Sequence, residues 1–144
     1  MKTTDEPVIV ENTLDCPREK VWQALTVHSQ MIQWYFEVLE AFEPVVGFET
    51  QFVISVEDRV FTHCWHVSAV EPNSKITYSW HYKEYPGKAN VTFELSEADK
   101  GTDVRVVVDV LEDFDDEIPE FRRDSCVAGW NYFMVEQLPD FLAG

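Results

Sequence analysis

Ile76-Thr77-Tyr78-Ser79-Trp80-His81-Tyr82 alternates apolar and polar side chains without a break. Successive side chains of an extended strand point to opposite faces, so this stretch predicts a β-strand with one aromatic face and one polar face. The turn Glu71-Pro72-Asn73-Ser74 precedes it and Tyr85-Pro86-Gly87 breaks it. Upstream, Val60 to Val70 reads as a long strand, and before it Phe48, Phe52 and Ile54 alternate with polar neighbours. Downstream, Val91, Phe93 and Leu95 form the next strand, Lys100-Gly101-Thr102 the next turn, and Val104, Val106, Val108 and Val110 the last strand. Connections this short join antiparallel neighbours.

The flanks read differently. Val8 to Leu14 is a plausible first strand, and Asp15-Cys16-Pro17 predicts a helix start with proline in its first turn. Val21, Trp22 and Leu25 follow at helical spacing, and a second short helix carries Met31, Ile32, Trp34 and Tyr35. Six acids crowd the residues from Glu112 to Glu120, ahead of a long helical pattern through Phe121, Val127, Trp130, Phe133, Met134, Leu138 and Phe141. Pro119 places the start of that helix near Ile118, and Pro139 predicts an end or kink near Leu138 because its ring removes a backbone donor. The class is therefore α+β. Only the C-terminal helix is long enough to cover the apolar face of a curved antiparallel sheet.

Composition narrows the function. The 144 residues, 45% of them hydrophobic, predict one domain over 1–144 with a core that needs no staples. A formal net charge of −16 excludes nucleic acid and an anionic membrane surface as natural partners. No apolar run approaches the ~20 residues of a membrane span, and the N-terminus is polar and acidic, which predicts a soluble cytoplasmic protein. Cys16, Cys64 and Cys126 stand far apart, outside any zinc-ribbon spacing, and are expected as reduced thiols.

The residues resemble a known family. Pro17-x-Glu19-x-Val21-Trp22-x-Ala24-Leu25-Thr26, with Trp34 behind it, is similar to the opening of the START-like (SRPBCC) superfamily, in the group named after the activator of the heat-shock-protein ATPase. Gly47-Phe48, Val67-x-x-Val70-Glu71-Pro72, Ile76-Thr77-Tyr78-Ser79-Trp80, Val91-Thr92-Phe93-x-Leu95, Gly101-Thr102 and Gly129-Trp130 follow in family order. Two departures stand out: the paired glycines usual before the third strand appear as Val46-Gly47, and Pro139 interrupts the last helix. The resemblance implies the helix-grip fold, a curved antiparallel sheet grasping the C-terminal helix, commonly around a hydrophobic cavity. It also implies a menu of activities: binding of lipids, sterols, hormones or aromatic polyketides, cyclisation or hydrolysis, or, as in the stress-responsive namesake, stimulation of a chaperone ATPase. Fold alone does not choose among these.

The five Trp, five Tyr and ten Phe are the main resource for a site. Trp34, Phe52, His63, Trp65, Tyr78, Trp80, Tyr82, Phe93, Trp130 and Phe133 are the candidates to line an apolar ligand pocket between sheet and helix; the competing reading is that they simply fill the core. The inward face of Val60 to Val70 is open between two registers. One gathers Phe61, His63, Trp65, Val67 and Ala69 and is preferred; a one-residue slip would present Cys64 and His66 instead. His63 and His66 point to opposite faces of an unbulged strand, so no metal site is expected. Glu94, Asp109 and Glu136 offer no clear general acid or base, and no nucleophile elbow, phosphate loop or dinucleotide fingerprint is present.

The expected function is non-enzymatic binding of a small hydrophobic or aromatic molecule, with no cofactor. The alternative is a protein-interaction module that regulates a chaperone-type ATPase, for which the acidic stretch 94–124, net −8, would steer a basic partner. A small cavity enzyme, a cyclase or hydrolase using His63 with Tyr78 or Tyr82, is the third reading.

Overall fold

The computed structural model describes every residue from Met1 to Gly144. Its order is β1 (Val8–Leu14), α1 (Arg18–Thr26), α2 (His28–Trp34), β2 (Glu49–Val56), β3 (Arg59–Glu71), β4 (Lys75–Tyr82), β5 (Tyr85–Glu97), β6 (Thr102–Glu112) and then a C-terminal helical run. The six strands form one antiparallel sheet in the order β1-β6-β5-β4-β3-β2, so β1 crosses over to pair with β6 and every other neighbour is a hairpin. The architecture is the expected helix-grip, with the short helices after the first strand and the long helix against the concave face.

Alternation decides which residues face that helix. On β3, Phe61, His63, Trp65 and Val67 point inward, opposite Tyr82, Trp80 and Tyr78 of β4. The preferred register holds only as far as Val67. A bulge between Val67 and Ala69 adds one residue, so Val70 takes the core side opposite Ile76 and Ala69 turns away with Thr77.

The break expected at Tyr85-Pro86-Gly87 lies instead inside β5. Lys83 and Glu84 make the turn, Tyr85 pairs with Tyr82, and Pro86 and Gly87 occupy a shift in the ladder where proline's missing donor costs little. Gly87 has φ +116°, and a Cβ there would lie 2.3 Å from the Phe114 ring, so only glycine fits.

The C-terminal run also differs from expectation. Pro119–Phe121 is a short 3₁₀ turn, and the α-helix proper, α3 (Arg123–Asn131), starts five residues after Ile118. Pro139 does not end the helix. From Tyr132 to Gln137 the ladder widens to π spacing, with Leu138 N–H reaching the Phe133 carbonyl, and α4 (Leu138–Ala143) continues beyond. The next bond in that ladder would join residue 139 to the Met134 carbonyl, and proline has no N–H to give. Asn12 of β1 donates its Nδ2–H to Met134 at 3.1 Å instead, so the interruption is satisfied from the sheet. At the other end, Pro17 caps α1 rather than lying in its first turn, and no side chain bonds the exposed donors there. Tyr35 falls just past α2.

Candidate functional site

The space between sheet and helix divides into a filled end and a hollow end. Tyr35 occupies the first. Its ring stacks on Trp34 at 4.8 Å and on Trp65 at 5.6 Å, and its hydroxyl lies 2.8 Å from that of Tyr78. Leu39 and Phe42, from the segment that follows α2, are buried beside it. Trp34 is fixed by its indole N–H donating 2.7 Å to the Ala24 carbonyl of α1. Burial raises both phenols well above the ordinary tyrosine range, so this pair stays protonated. Trp34, Phe52, Trp65, Tyr78 and Phe93 therefore belong to the packed core and lie outside the hollow.

The hollow end holds a cavity of ≈190 Å³. His63, Trp80, Tyr82, Trp130 and Phe133 line it, the other half of the candidate set. The sequence reading missed Phe36, Ala89, Val91 and Val108 on its walls, and Phe114 and Phe121 at its end. A signal for the last two existed: Phe114, Ile118 and Phe121 are the only apolar side chains between Glu112 and Arg122, and isolated aromatics in an acidic run are anchored inward. Ser125 and Gly129, both exposed, stand at the rim on α3.

Its polar groups are few. The His63 Nδ1–H donates to the Phe61 carbonyl at 3.1 Å, which fixes the neutral tautomer and leaves Nε2 as an acceptor. Burial lowers the His63 pKa to about 4, so the ring is uncharged at neutral pH. The imidazole packs 4.7 Å from the Tyr82 ring, edge to face. Burial holds the Tyr82 phenol far above its usual range, with the neighbouring Trp80 indole opposing. The Trp80 Nε1–H is itself fully buried and unpartnered. Burial also pushes the Cys126 thiol up to about 11, so it is no thiolate nucleophile. Tyr78, the other proposed companion of His63, is held by Tyr35. Glu120 lies at the end of the cavity, where hydrogen bonds from Arg59 at 3.0 and 2.6 Å hold its carboxyl below the ordinary range. The charged groups of its lining residues, the Met1 ammonium and Glu120, are paired with Asp116 and Arg59, so the cavity presents no free charge.

Cys64 and His66 project from the opposite face of β3, and no three metal-ligating side chains converge anywhere in the chain. Part of the acidic stretch is engaged in internal ties: Asp113 accepts from the Thr3 amide, Asp116 from the Met1 amino group, and Glu120 from Arg59.

A family model described as activator of Hsp90 ATPase homolog 1-like protein matches residues 15–143. The chain belongs to this family. Among solved structures of similar fold, protein MLL2253 from Mesorhizobium loti is 30% identical over 96% of this chain and 97% of its own, with a TM-score of 0.72. Protein CV1439 from Chromobacterium violaceum reaches a TM-score of 0.78 at 17% identity, covering 96% and 98%. DynU16, a protein of the dynemicin biosynthetic locus, has a TM-score of 0.76 at 23% identity; 96% of this chain covers 48% of that one, so the chain spans about half its length. No curated protein matches the sequence. The family fixes the fold, and no helix of this member is long and apolar enough to cross a membrane.

Proposed function

We propose that this protein binds a small, neutral aromatic molecule in the hollow end of its grip, without transforming it. The observation that carries the reading is a mainly apolar cavity of ≈190 Å³ lined by Trp80, Trp130, Phe133, Tyr82 and a neutral His63. A cavity of about 150 Å³ accommodates benzene, so this one suits one ring with a substituent or a compact bicycle, and a sterol or long acyl chain would need the walls to part. Uncharged hydrogen-bonding groups select uncharged partners. A carboxylate would find only the Met1 ammonium, which Asp116 already neutralises, and an ammonium only Glu120, which Arg59 already neutralises. The Tyr82 O–H would address a carbonyl or ether oxygen, and His63 Nε2 a hydroxyl.

Absence of transformation rests on the same groups. His63 is too weak a base at neutral pH, Tyr82 too weak an acid, and Cys126 too protonated to drive proton transfer or attack.

Nuclear magnetic resonance titration with indole, 4-ethylphenol, benzoate, benzylamine and a long-chain fatty acid tests the reading. The two neutral aromatics should give saturable shifts at Trp80, Tyr82, Trp130 and Phe133, and the charged analogues none. Preference for benzoate or the fatty acid, or shifts confined to residues outside the cavity, would refute it.

A further inference from the structure

β2 is an edge of the sheet, and no other backbone hydrogen-bonds to its outer side. The parity of its hydrogen bonds can be worked out from β3. The Thr62 amide donates to the Glu84 carboxylate and the Thr62 carbonyl accepts from the Lys83 amide, so both backbone groups of Thr62 point toward β4. Thr62 pairs with Val53. Val53 therefore makes no ladder bond to β3, and its N–H and C=O face outward. The reciprocal bonds of the next segment agree: Gly47 N–H reaches the Val67 carbonyl, and Val67 N–H reaches that of Phe48. Alternation then assigns the outward groups to Glu49, Gln51, Val53 and Ser55. None of these four backbones bonds to any loop or helix.

The other edge, β1, lies beside the C-terminal helical run. Arg123 donates to the Glu6 and Pro7 carbonyls just before the strand, and the Asn12 side chain ties it to Met134. Natural edge strands are commonly blunted by lysine, proline or a bulge. β2 has none of the three: it reads ETQFVISV and pairs with β3 in continuous register.

Its surroundings are of one sign. From Val21 to Asp58 the chain contains no Lys or Arg, while Glu37, Glu40, Glu43, Glu49, Glu57 and Asp58 are all exposed. Glu49 has His66 within 4.0 Å and Glu57 has Arg59 at 3.7 Å, but Glu37, Glu40, Glu43 and Asp58 have no ion pair. Glu40 and Val38 face Gln51 and Val53 across a groove of ≈320 Å³. Val38 and Val53 are 46% and 52% exposed, an apolar strip inside an acidic rim. The rim is fixed rather than loose, because Leu39 and Phe42 are buried beneath it and the Leu39 carbonyl is held by His28.

We propose that the outer edge of β2 docks an extended segment of a protein partner that is rich in Lys or Arg interspersed with β-branched residues. The backbone row supplies pairing and is indifferent to sequence, while the acidic rim and the Val38/Val53 strip select for charge and apolarity. A second copy of this chain is disfavoured as occupant, since pairing two β2 edges would bring two acidic rims together. This inference is independent of the cavity ligand.

The test uses the whole protein and two synthetic eight-residue peptides, one alternating Lys and Val, the other Glu and Val. The basic peptide should slow amide exchange at Glu49, Gln51, Val53 and Ser55 by about tenfold or more and bind about tenfold more weakly at high than at low salt. Val53→Pro removes an outward donor and should abolish binding while leaving the melting transition in place, since proline is tolerated where the N–H faces solvent. Glu40→Lys with Glu43→Lys should weaken binding about tenfold and reduce its salt dependence. Unchanged exchange at the four amides with millimolar basic peptide, equal binding of the acidic peptide, or binding retained by Val53→Pro would overturn the proposal. So would sedimentation showing a dimer that Val53→Pro dissociates, which would assign the edge to a second copy.

Discussion

The two ends of the concave face are made from the same strands and the same alternation, yet one is solid and the other hollow. At the filled end, β3 and β4 contribute Trp65 and Tyr78, and Tyr35, Leu39 and Phe42 arrive from the chain after α2 to occupy the space between sheet and helix. At the hollow end, β5 and β6 contribute only Ala89, Val91 and Val108, and the helix contributes Gly129, whose position has open space where a Cβ would stand. Side-chain volume on the strands and the route of one connecting segment decide where a helix-grip is empty.

That contrast predicts unequal responses to truncation. Trp65 is 2% exposed and packs against Tyr78 at 4.7 Å, Phe52 at 5.0 Å and Trp80 at 5.1 Å. Trp65→Ala should cost about 3–5 kcal/mol in denaturant melts. Phe133→Ala, on a side chain that borders existing space and is only partly buried, should cost clearly less. Equal losses would mean that the two ends are packed alike.

His63 sits between the ends, and its burial links stability to pH. Its unfolded pKa is 6.5 and its folded pKa about 4, so the unfolded chain binds the proton first. Its neutral burial therefore has its full value above pH 6.5 and is lost as the pH falls from 6.5 toward 4, a loss of ~3 kcal/mol in all. Asp113, Asp116, Glu120 and Glu84, held below the carboxylate range, lose their contributions mainly below about pH 4.5, so the part of the slope between pH 7 and 5.5 belongs to His63. Chemical melts at pH 7, 5.5 and 4.5 should show the slope in the wild type and a flat response in His63→Phe. A slope that survives the substitution would assign it to another group.

Within the filled end, the Tyr35 and Tyr78 hydroxyls satisfy each other. Tyr35→Phe should cost about 1–3 kcal/mol because it strands the Tyr78 hydroxyl, and adding Tyr78→Phe should cost little more. Additive losses in the double-mutant cycle would show that each hydroxyl has some other partner.

The fold was legible because alternation over Ile76–Tyr82 and Val104–Val110 is a local property. The site was half legible for the same reason. His63, Trp80 and Tyr82 could be placed on the inner face from strand parity, but parity does not distinguish the end of the face that Tyr35 fills from the end it leaves empty. Tyr35 read as one more residue of a short helix; its position past Trp34, with a non-helical backbone, is what sends the ring into the core. Ala89 and Gly129 were invisible as site residues because their contribution is missing volume. The Pro139 outcome depended on Asn12, more than a hundred residues away, which no local reading connects to it.

Missing volume can be supplied. Ala89 is 4% exposed, lies opposite Trp80 on one side and Val110 on the other, and borders the cavity. Ala89→Leu would add three carbons pointing into the void. If the hollow is as large as the walls make it, the substitution should raise stability by about 0.5–2 kcal/mol and eliminate the saturable shifts from indole. If the walls are already in contact on average, the same change would overpack the core and lower stability by about 1–3 kcal/mol. The sign of one melting shift therefore reports whether the hollow end is empty, and the paired titration reports whether that emptiness is where the ligand goes.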